Sequence, residues 1–99
     1  MVTDIKGGNT ASTLLKVVDA IGDPARNIAE LGIGTNPKSR IGLSLRETKK
    51  ALTTAHIAIG DNKNIGGIVE CPLHMDMIFR NPSVSVDGKA IMRDGKLLI

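Results

Sequence analysis

Apolar and polar positions alternate most clearly along Pro72-Leu73-His74-Met75-Asp76-Met77-Ile78-Phe79, and this period of two predicts a β-strand. Leu73, Met75, Met77 and Phe79 share one face and His74, Asp76 and Ile78 the other, because strand side chains point to alternate sides. An imidazole and a carboxylate therefore stand side by side, opposite a wholly apolar face. Burying both is costly unless something compensates them. On its own, such a pair favours a plain His–Asp hydrogen bond over a metal site. Two further strands shift that balance. Asn27–Ile33 sets Ala29, Leu31 and Ile33 against Ile28, Glu30 and Gly32, and Ala55–Ile59 sets Ala55, Ile57 and Ile59 against His56 and Ala58. Each strand carries a titratable group opposite its more apolar face, often beside a Gly or Ala that leaves room above the sheet. Glu30, His56, His74 and Asp76 are thus candidate ligands for a divalent ion such as Zn, Mn, Co or Fe. The chain has two histidines, and both fall in this pattern.

Elsewhere the period changes. Leu14, Val17, Val18 and Ile21 recur at helical spacing and predict a helix over about Asn9–Ile21, capped by Asn9 or Thr10 and stopped by Gly22 and Pro24. Ser44 and Glu47 form a capping box for a short helix running to about Leu52, which gives Glu47 a structural task and ranks it below Glu30 as a ligand. Met1–Lys6 alternates weakly and predicts an opening strand. The loop from Gly60 to Gly67 is polar and borders the candidate site, with Asp61 a further possible ligand or orienting group. Asp87-Gly88 and Asp94-Gly95 are two-residue hairpin signals within a closing meander. The expected fold is α/β, with residues 1–99 as a single domain. A mixed β-sheet carries one main covering helix, a second short helix and a C-terminal hairpin or meander. The first strand has no element before it, so the chain is expected to be the C-terminal part of a longer protein.

Composition narrows the function classes. Apolar residues make up 41% of the chain and are nearly all aliphatic, Phe79 being the one aromatic of the Phe, Tyr and Trp set. The net charge of +3 comes with a loose cluster of Lys38, Arg40, Arg46, Lys49 and Lys50, which is expected to be a solvated surface. Without aromatics to stack bases, nucleic-acid binding is not expected. Cys71 is the lone cysteine, so no internal disulfide forms, and a cytoplasmic location is expected. Cys71 and His74 have metal-like spacing, but the odd offset puts them on opposite strand faces, so Cys71 is read as a small buried residue. No membrane association is expected, since no apolar run approaches the length of a span.

Three motifs in order carry a resemblance to a known family. Ala29-Glu30-Leu31-Gly32-Ile33-Gly34-Thr35-Asn36-Pro37, Thr54-Ala55-His56-Ile57-Ala58-Ile59-Gly60 and Pro72-Leu73-His74-Met75-Asp76 resemble the C-terminal metal-binding segment of aminopeptidase T-type leucyl aminopeptidases. The likeness runs from about Gly22 onward and includes the hairpin at Val86-Asp87-Gly88-Lys89. It implies metal-dependent hydrolysis of N-terminal residues from peptides by a complete enzyme. Glu30 would be ligand and general base, His56 and His74 ligands, and Asp76 a bridge between two divalent ions, Zn, Co or Mn. It also implies a peptide substrate, a missing N-terminal domain or a second copy in its place, and hence a homo-oligomer.

The chain departs from that family in three ways. The family's upstream carboxylate ligand has no counterpart. Its tyrosine after the first histidine is missing, Lys63 being the nearby residue, and the acidic pair before the family lysine is Thr48-Lys49 ahead of Lys50. Little activity is therefore expected of the isolated chain. Two alternatives stay open. His56, His74 and Asp76 match the two-histidine, one-carboxylate set of non-haem Fe(II) oxygenases, and ring-cleaving dihydroxypyridine dioxygenases resemble the same family. A truncated, non-catalytic domain is the other.

Overall fold

A computed structural model describes residues 1–98. Helix α1 spans Asn9–Ile21 and is followed by a 3-10 turn at Asp23–Arg26 and strand β1 at Ile28–Ile33. A short helix α2 at Leu45–Thr48 precedes β2 at Thr54–Gly60, and a 3-10 turn at Lys63–Ile65 precedes β3 at His74–Arg80. Strands β4 (Val84–Val86), β5 (Lys89–Arg93) and β6 (Lys96–Leu97) close the chain. The strands form two three-stranded sheets, ordered β1-β2-β3 and β4-β5-β6. Central β2 is the most buried strand, with Thr54, Ala55, His56, Ala58, Ile59 and Gly60 all buried.

Both sheets are antiparallel. In the first, Gly60 N donates to Asn27 O at 2.9 Å and Gly34 N to Thr54 O at 2.9 Å, so β1 and β2 run in opposite senses. Likewise Asp61 N donates to Leu73 O at 2.7 Å and Asn81 N to Thr53 O at 2.9 Å, which sets β2 against β3. In the second sheet, Val86 pairs with Lys89 and Arg93 with Lys96 across two-residue turns. Asp87 and Gly88 (φ 50° and 80°) and Asp94 and Gly95 (φ 49° and 81°) adopt the left-handed values such turns require. The α/β class, the main helix, the short helix and the meander are as the sequence predicts.

Contacts group the residues into two units, Met1–Glu30 with Ile57–Asp76, and Leu31–His56 with Met77–Ile99. In the first, Val18 of α1 and Ala25 of the following turn are fully buried. The Arg26 guanidinium bonds Asp19 at 2.9 Å and the Val2 carbonyl at 3.3 Å, while Val2 N donates to Arg26 O at 2.7 Å. These bonds hold Val2 against the turn, and residues 1–6 contain no strand, so the expected opening strand over Met1–Lys6 does not form. Gly8, rather than Asn9 or Thr10, occupies the N-cap of α1, and no side chain caps it. In the second unit, Thr54 and Met92 are buried, and the Thr54 hydroxyl donates to Ala51 O at 2.8 Å. Ser44 Oγ accepts from Glu47 N at 3.1 Å, as the capping box requires, but α2 ends at Thr48 rather than near Leu52. β3 is an edge strand, and Phe79 is 47% exposed instead of buried with its face. Ile99 of the expected closing strand lies outside the described residues. Among the described residues, no helix is long and apolar enough to cross a membrane.

Gly60 is a conformational requirement as well as a packing one. Its φ is 98°, and a Cβ there would stand 2.1 Å from the Leu73 carbonyl oxygen. Gly60→Ala is expected to lower the free energy of unfolding by roughly 1–3 kcal/mol or more, from left-handed strain plus a backbone clash. Urea denaturation followed by circular dichroism checks this, and an unchanged midpoint would contradict it.

Candidate metal centre

The three strands of the first sheet deliver the candidate ligands. β1 holds Glu30, with its side chain 21% accessible; β2 holds His56, buried at 6%; β3 holds Asp76, with its carboxylate side chain 8% accessible. One ligand atom each from Glu30, His56 and Asp76 lie within 4.8 Å of one another, close enough for the three to hold a metal ion. His74, at the start of β3, is more open, with 37% of its side chain accessible.

The His74 ring decides much of the local electrostatics. Its Nδ1 lies 2.7 Å from the Asp61 carbonyl oxygen. A carbonyl oxygen only accepts, so Nδ1 carries the hydrogen and donates it. Nε2 of the neutral ring is then a lone pair, 3.7 Å from Glu30 Oε2 and 3.4 Å from Asp76 Oδ1. A lone pair facing two carboxylates repels them unless positive charge sits among the three, either a proton on Nε2 or a metal ion. The 3.4 Å between His74 Nε2 and Asp76 Oδ1 suits the ion, since donors each about 2.1 Å from one cation lie roughly 3.0–3.4 Å apart, and Glu30 stands slightly farther off. A ligating imidazole commonly donates its other N–H to a backbone carbonyl, which fixes its tautomer and plane.

Asp61 is held in place to perform that task. Its Oδ1 accepts from Lys63 N at 3.0 Å and its Oδ2 from Cys71 N at 3.0 Å, while its own N–H donates to Leu73 O at 2.7 Å. The carboxylate folds the loop from 61 to 71 back on itself, and the carbonyl is left aimed at His74. Asp61 is therefore an orienting group acting through its main chain, a role that side-chain pattern alone does not reveal.

His56 owes its position to a missing atom. A Cβ on Gly32 would stand 2.0 Å from His56 Cε1 and 2.4 Å from Nε2, so only glycine leaves space for the ring. Other candidates are excluded by their partners. Glu47 Oε1 accepts from Arg40 N at 3.0 Å, as befits a loop-fixing residue. Lys63 Nζ pairs with Glu70 at 2.6 Å on the surface and does not substitute for the missing tyrosine. Cys71 is half-buried rather than buried, its thiol sulfur 3.4 Å from Leu73 O.

The fold and donor set define the class, a small antiparallel α/β protein with imidazole and carboxylate groups gathered where a divalent ion can be held. The model of the NicX family, 2,5-dihydroxypyridine 5,6-dioxygenase, matches residues 1–99, and the chain belongs to that family. No curated protein and no solved structure matches it. The aminopeptidase resemblance is thereby corrected, and with it the reading as a peptide hydrolase, leucyl aminopeptidase and metalloprotease. The physical reason is that the three shared motifs describe how strands present metal donors, which hydrolytic and oxygen chemistry both use. A tyrosine, which would have marked hydrolysis, is absent from the sequence.

Two substitutions test the geometry. Asp61→Ala is expected to weaken divalent-ion binding about 10–100-fold by releasing the carbonyl that orients His74. Gly32→Ala is expected to displace the His56 ring, weakening the same binding and destabilising the fold by roughly 1–3 kcal/mol. Isothermal titration with Mn(II) or Fe(II) reads both affinities.

Proposed function

We propose that this chain is a non-haem Fe(II) dioxygenase-type domain that opens the ring of a hydroxylated pyridine. His56, His74 and Asp76 form its two-histidine, one-carboxylate ligand set, and Glu30 is a further ligand. The observation that carries this reading is the family match over the whole chain. The donor set supports it: imidazole and carboxylate suit Fe(II), and two histidines with one carboxylate leave coordination positions open. Without a peptide substrate, the general-base role assigned to Glu30 has no reaction to serve.

When bound, Fe(II) supplies the redox chemistry that O₂ activation needs and that side chains lack. The chain's own residues hold and orient. Asp61 keeps the hydrogen of His74 on Nδ1 and so keeps Nε2 available as a donor. Glu30 and Asp76 contribute the negative charge that offsets a divalent cation. Gly32 leaves the His56 ring in its slot on the buried central strand.

Protein loaded anaerobically with Fe(II) is expected to consume one O₂ per 2,5-dihydroxypyridine opened, followed by an oxygen electrode and loss of ring absorbance. His74→Ala is expected to abolish Fe(II) binding and O₂ uptake together. Its stability should stay within about 0.5 kcal/mol of wild type, because the side chain is partly exposed. Leucyl-amide cleavage with Zn(II), Mn(II) or Co(II) is expected to remain at background. Absence of Fe(II)-dependent O₂ uptake, or uptake untouched by His74→Ala, would overturn the proposal.

A further inference from the structure

The peptide unit between Asp61 and Asn62 is gripped on both sides. Its carbonyl oxygen accepts from His74 Nδ1 at 2.7 Å, and its N–H donates to Val69 O at 3.1 Å. A trans peptide is planar, with its C=O and N–H pointing to opposite sides. Turning the carbonyl away from the imidazole would therefore swing the N–H off Val69. The direction of one bond is fixed by the other, and all of these residues belong to the first unit, in its Ile57–Asp76 segment.

Val69 holds that N–H because it is held itself, and Asn62 does this as well. Val69 N donates to Asn62 Oδ1 at 3.1 Å, so both main-chain groups of Val69 go to one residue. An N–H needs an acceptor, which places the oxygen of the amide rather than its nitrogen toward Val69. The Asn62 carbonyl closes the turn, accepting from Gly67 N at 2.9 Å and Ile65 N at 3.2 Å. Gly67 makes room for the amide, since a Cβ there would stand 2.1 Å from Asn62 Cγ and Oδ1. Lys63 Nζ and Glu70 pair at 2.6 Å across the same loop, with both side chains more than half exposed. Such a surface pair contributes little, and it bonds neither side of the peptide unit.

We infer that Asn62 is a positioning residue of the metal centre, acting through Val69 and the Asp61–Asn62 peptide to keep the hydrogen of His74 on Nδ1. The inference rests on His74 as a ligand under the dioxygenase reading, and it adds the residue that sets the state of that ligand. Asn62 does not itself touch the ion. Its Oδ1 fixes Val69, the Val69 carbonyl fixes the peptide N–H, and the carbonyl on the other side of the peptide fixes which imidazole nitrogen keeps a lone pair. Losing Oδ1 leaves the Val69 N–H without its acceptor and frees the peptide to turn. The ring hydrogen then sits on either nitrogen, and a neutral ring that carries it on Nε2 has no lone pair there for a cation.

Two readouts test this in the full chain: ¹⁵N NMR of the His74 ring without metal, at a pH where the ring is neutral, and calorimetric titration with Mn(II). Wild type is expected to show the Nδ1–H tautomer alone. Asn62→Ala is expected to show both tautomers and to bind Mn(II) about 10–100-fold more weakly. Asn62→Asp keeps an oxygen toward Val69 and should recover the wild-type tautomer and most of the affinity. Gly67→Ala pushes the amide aside and should reproduce Asn62→Ala, so the test stands even if Asn62→Ala does not fold. Lys63→Met loosens the same loop elsewhere and should change neither readout. An Asn62→Ala protein with Nδ1–H alone and unchanged Mn(II) affinity would overturn the role, whatever its unfolding midpoint. So would an equal loss in Lys63→Met, which would mark general loosening of the loop. Either result beside intact Fe(II)-dependent O₂ uptake by wild type would leave the dioxygenase reading standing. The expected tautomer shift and loss of Mn(II) affinity in a chain that opens no dihydroxypyridine would uphold Asn62 and sink that reading instead.

Discussion

The hydrogen bond from His74 Nδ1 to the Asp61 carbonyl determines which ring nitrogen is left with a lone pair and where that lone pair points. It points toward two carboxylates, 3.7 Å from Glu30 Oε2 and 3.4 Å from Asp76 Oδ1, an arrangement that a proton on Nε2 or a metal ion would balance. The loop that presents the carbonyl is held by its own side chains. Asp61 binds two backbone N–H groups, Asn62 Oδ1 accepts from Val69 N at 3.1 Å, and a Cβ on Gly67 would collide with the Asn62 side chain. A substantial share of the chain between β2 and β3 thus serves to aim one oxygen atom at one nitrogen.

Such a centre fixes the metal more narrowly than it fixes the reaction. Imidazole and carboxylate donors serve hydrolysis through a bound water and oxygen chemistry through open coordination positions alike. The distinction between them must come from what surrounds the ligands. Here the chain carries no tyrosine that could serve a hydrolytic centre. The match to a dioxygenase family over residues 1–99 supplies that distinction here.

Much of the candidate site was legible in the alternation of residues, because a period of two places Glu30, His56, His74 and Asp76 on defined strand faces whatever the tertiary context. Turns at Asp87-Gly88 and Asp94-Gly95 were legible for a similar reason: their chemistry is local. What depended on main-chain atoms was not. The orienting group of His74 is a carbonyl, which every residue possesses, so no side chain advertises it. The N-cap of α1 fell to Gly8, and Val2 bonds Arg26 instead of a sheet. The bridge between Asn36 and Ala51 was not legible either, because it joins residues remote in sequence. The family was misassigned because donor motifs report how metals are held, and two chemistries share that solution.

The two-residue turns of the C-terminal meander carry a kinetic consequence. Their strands close loops of minimal length, so that sheet can zip up on a timescale of about 1–10 μs with no need of an ion. The ligand-bearing strands are separated by long stretches of chain, and the entropy of closing those loops must be met before any donor finds its neighbour. The nascent polypeptide therefore acquires an ion-independent hairpin scaffold early and its ion-binding centre late. Scarcity of the ion would act on the last step of maturation rather than the first.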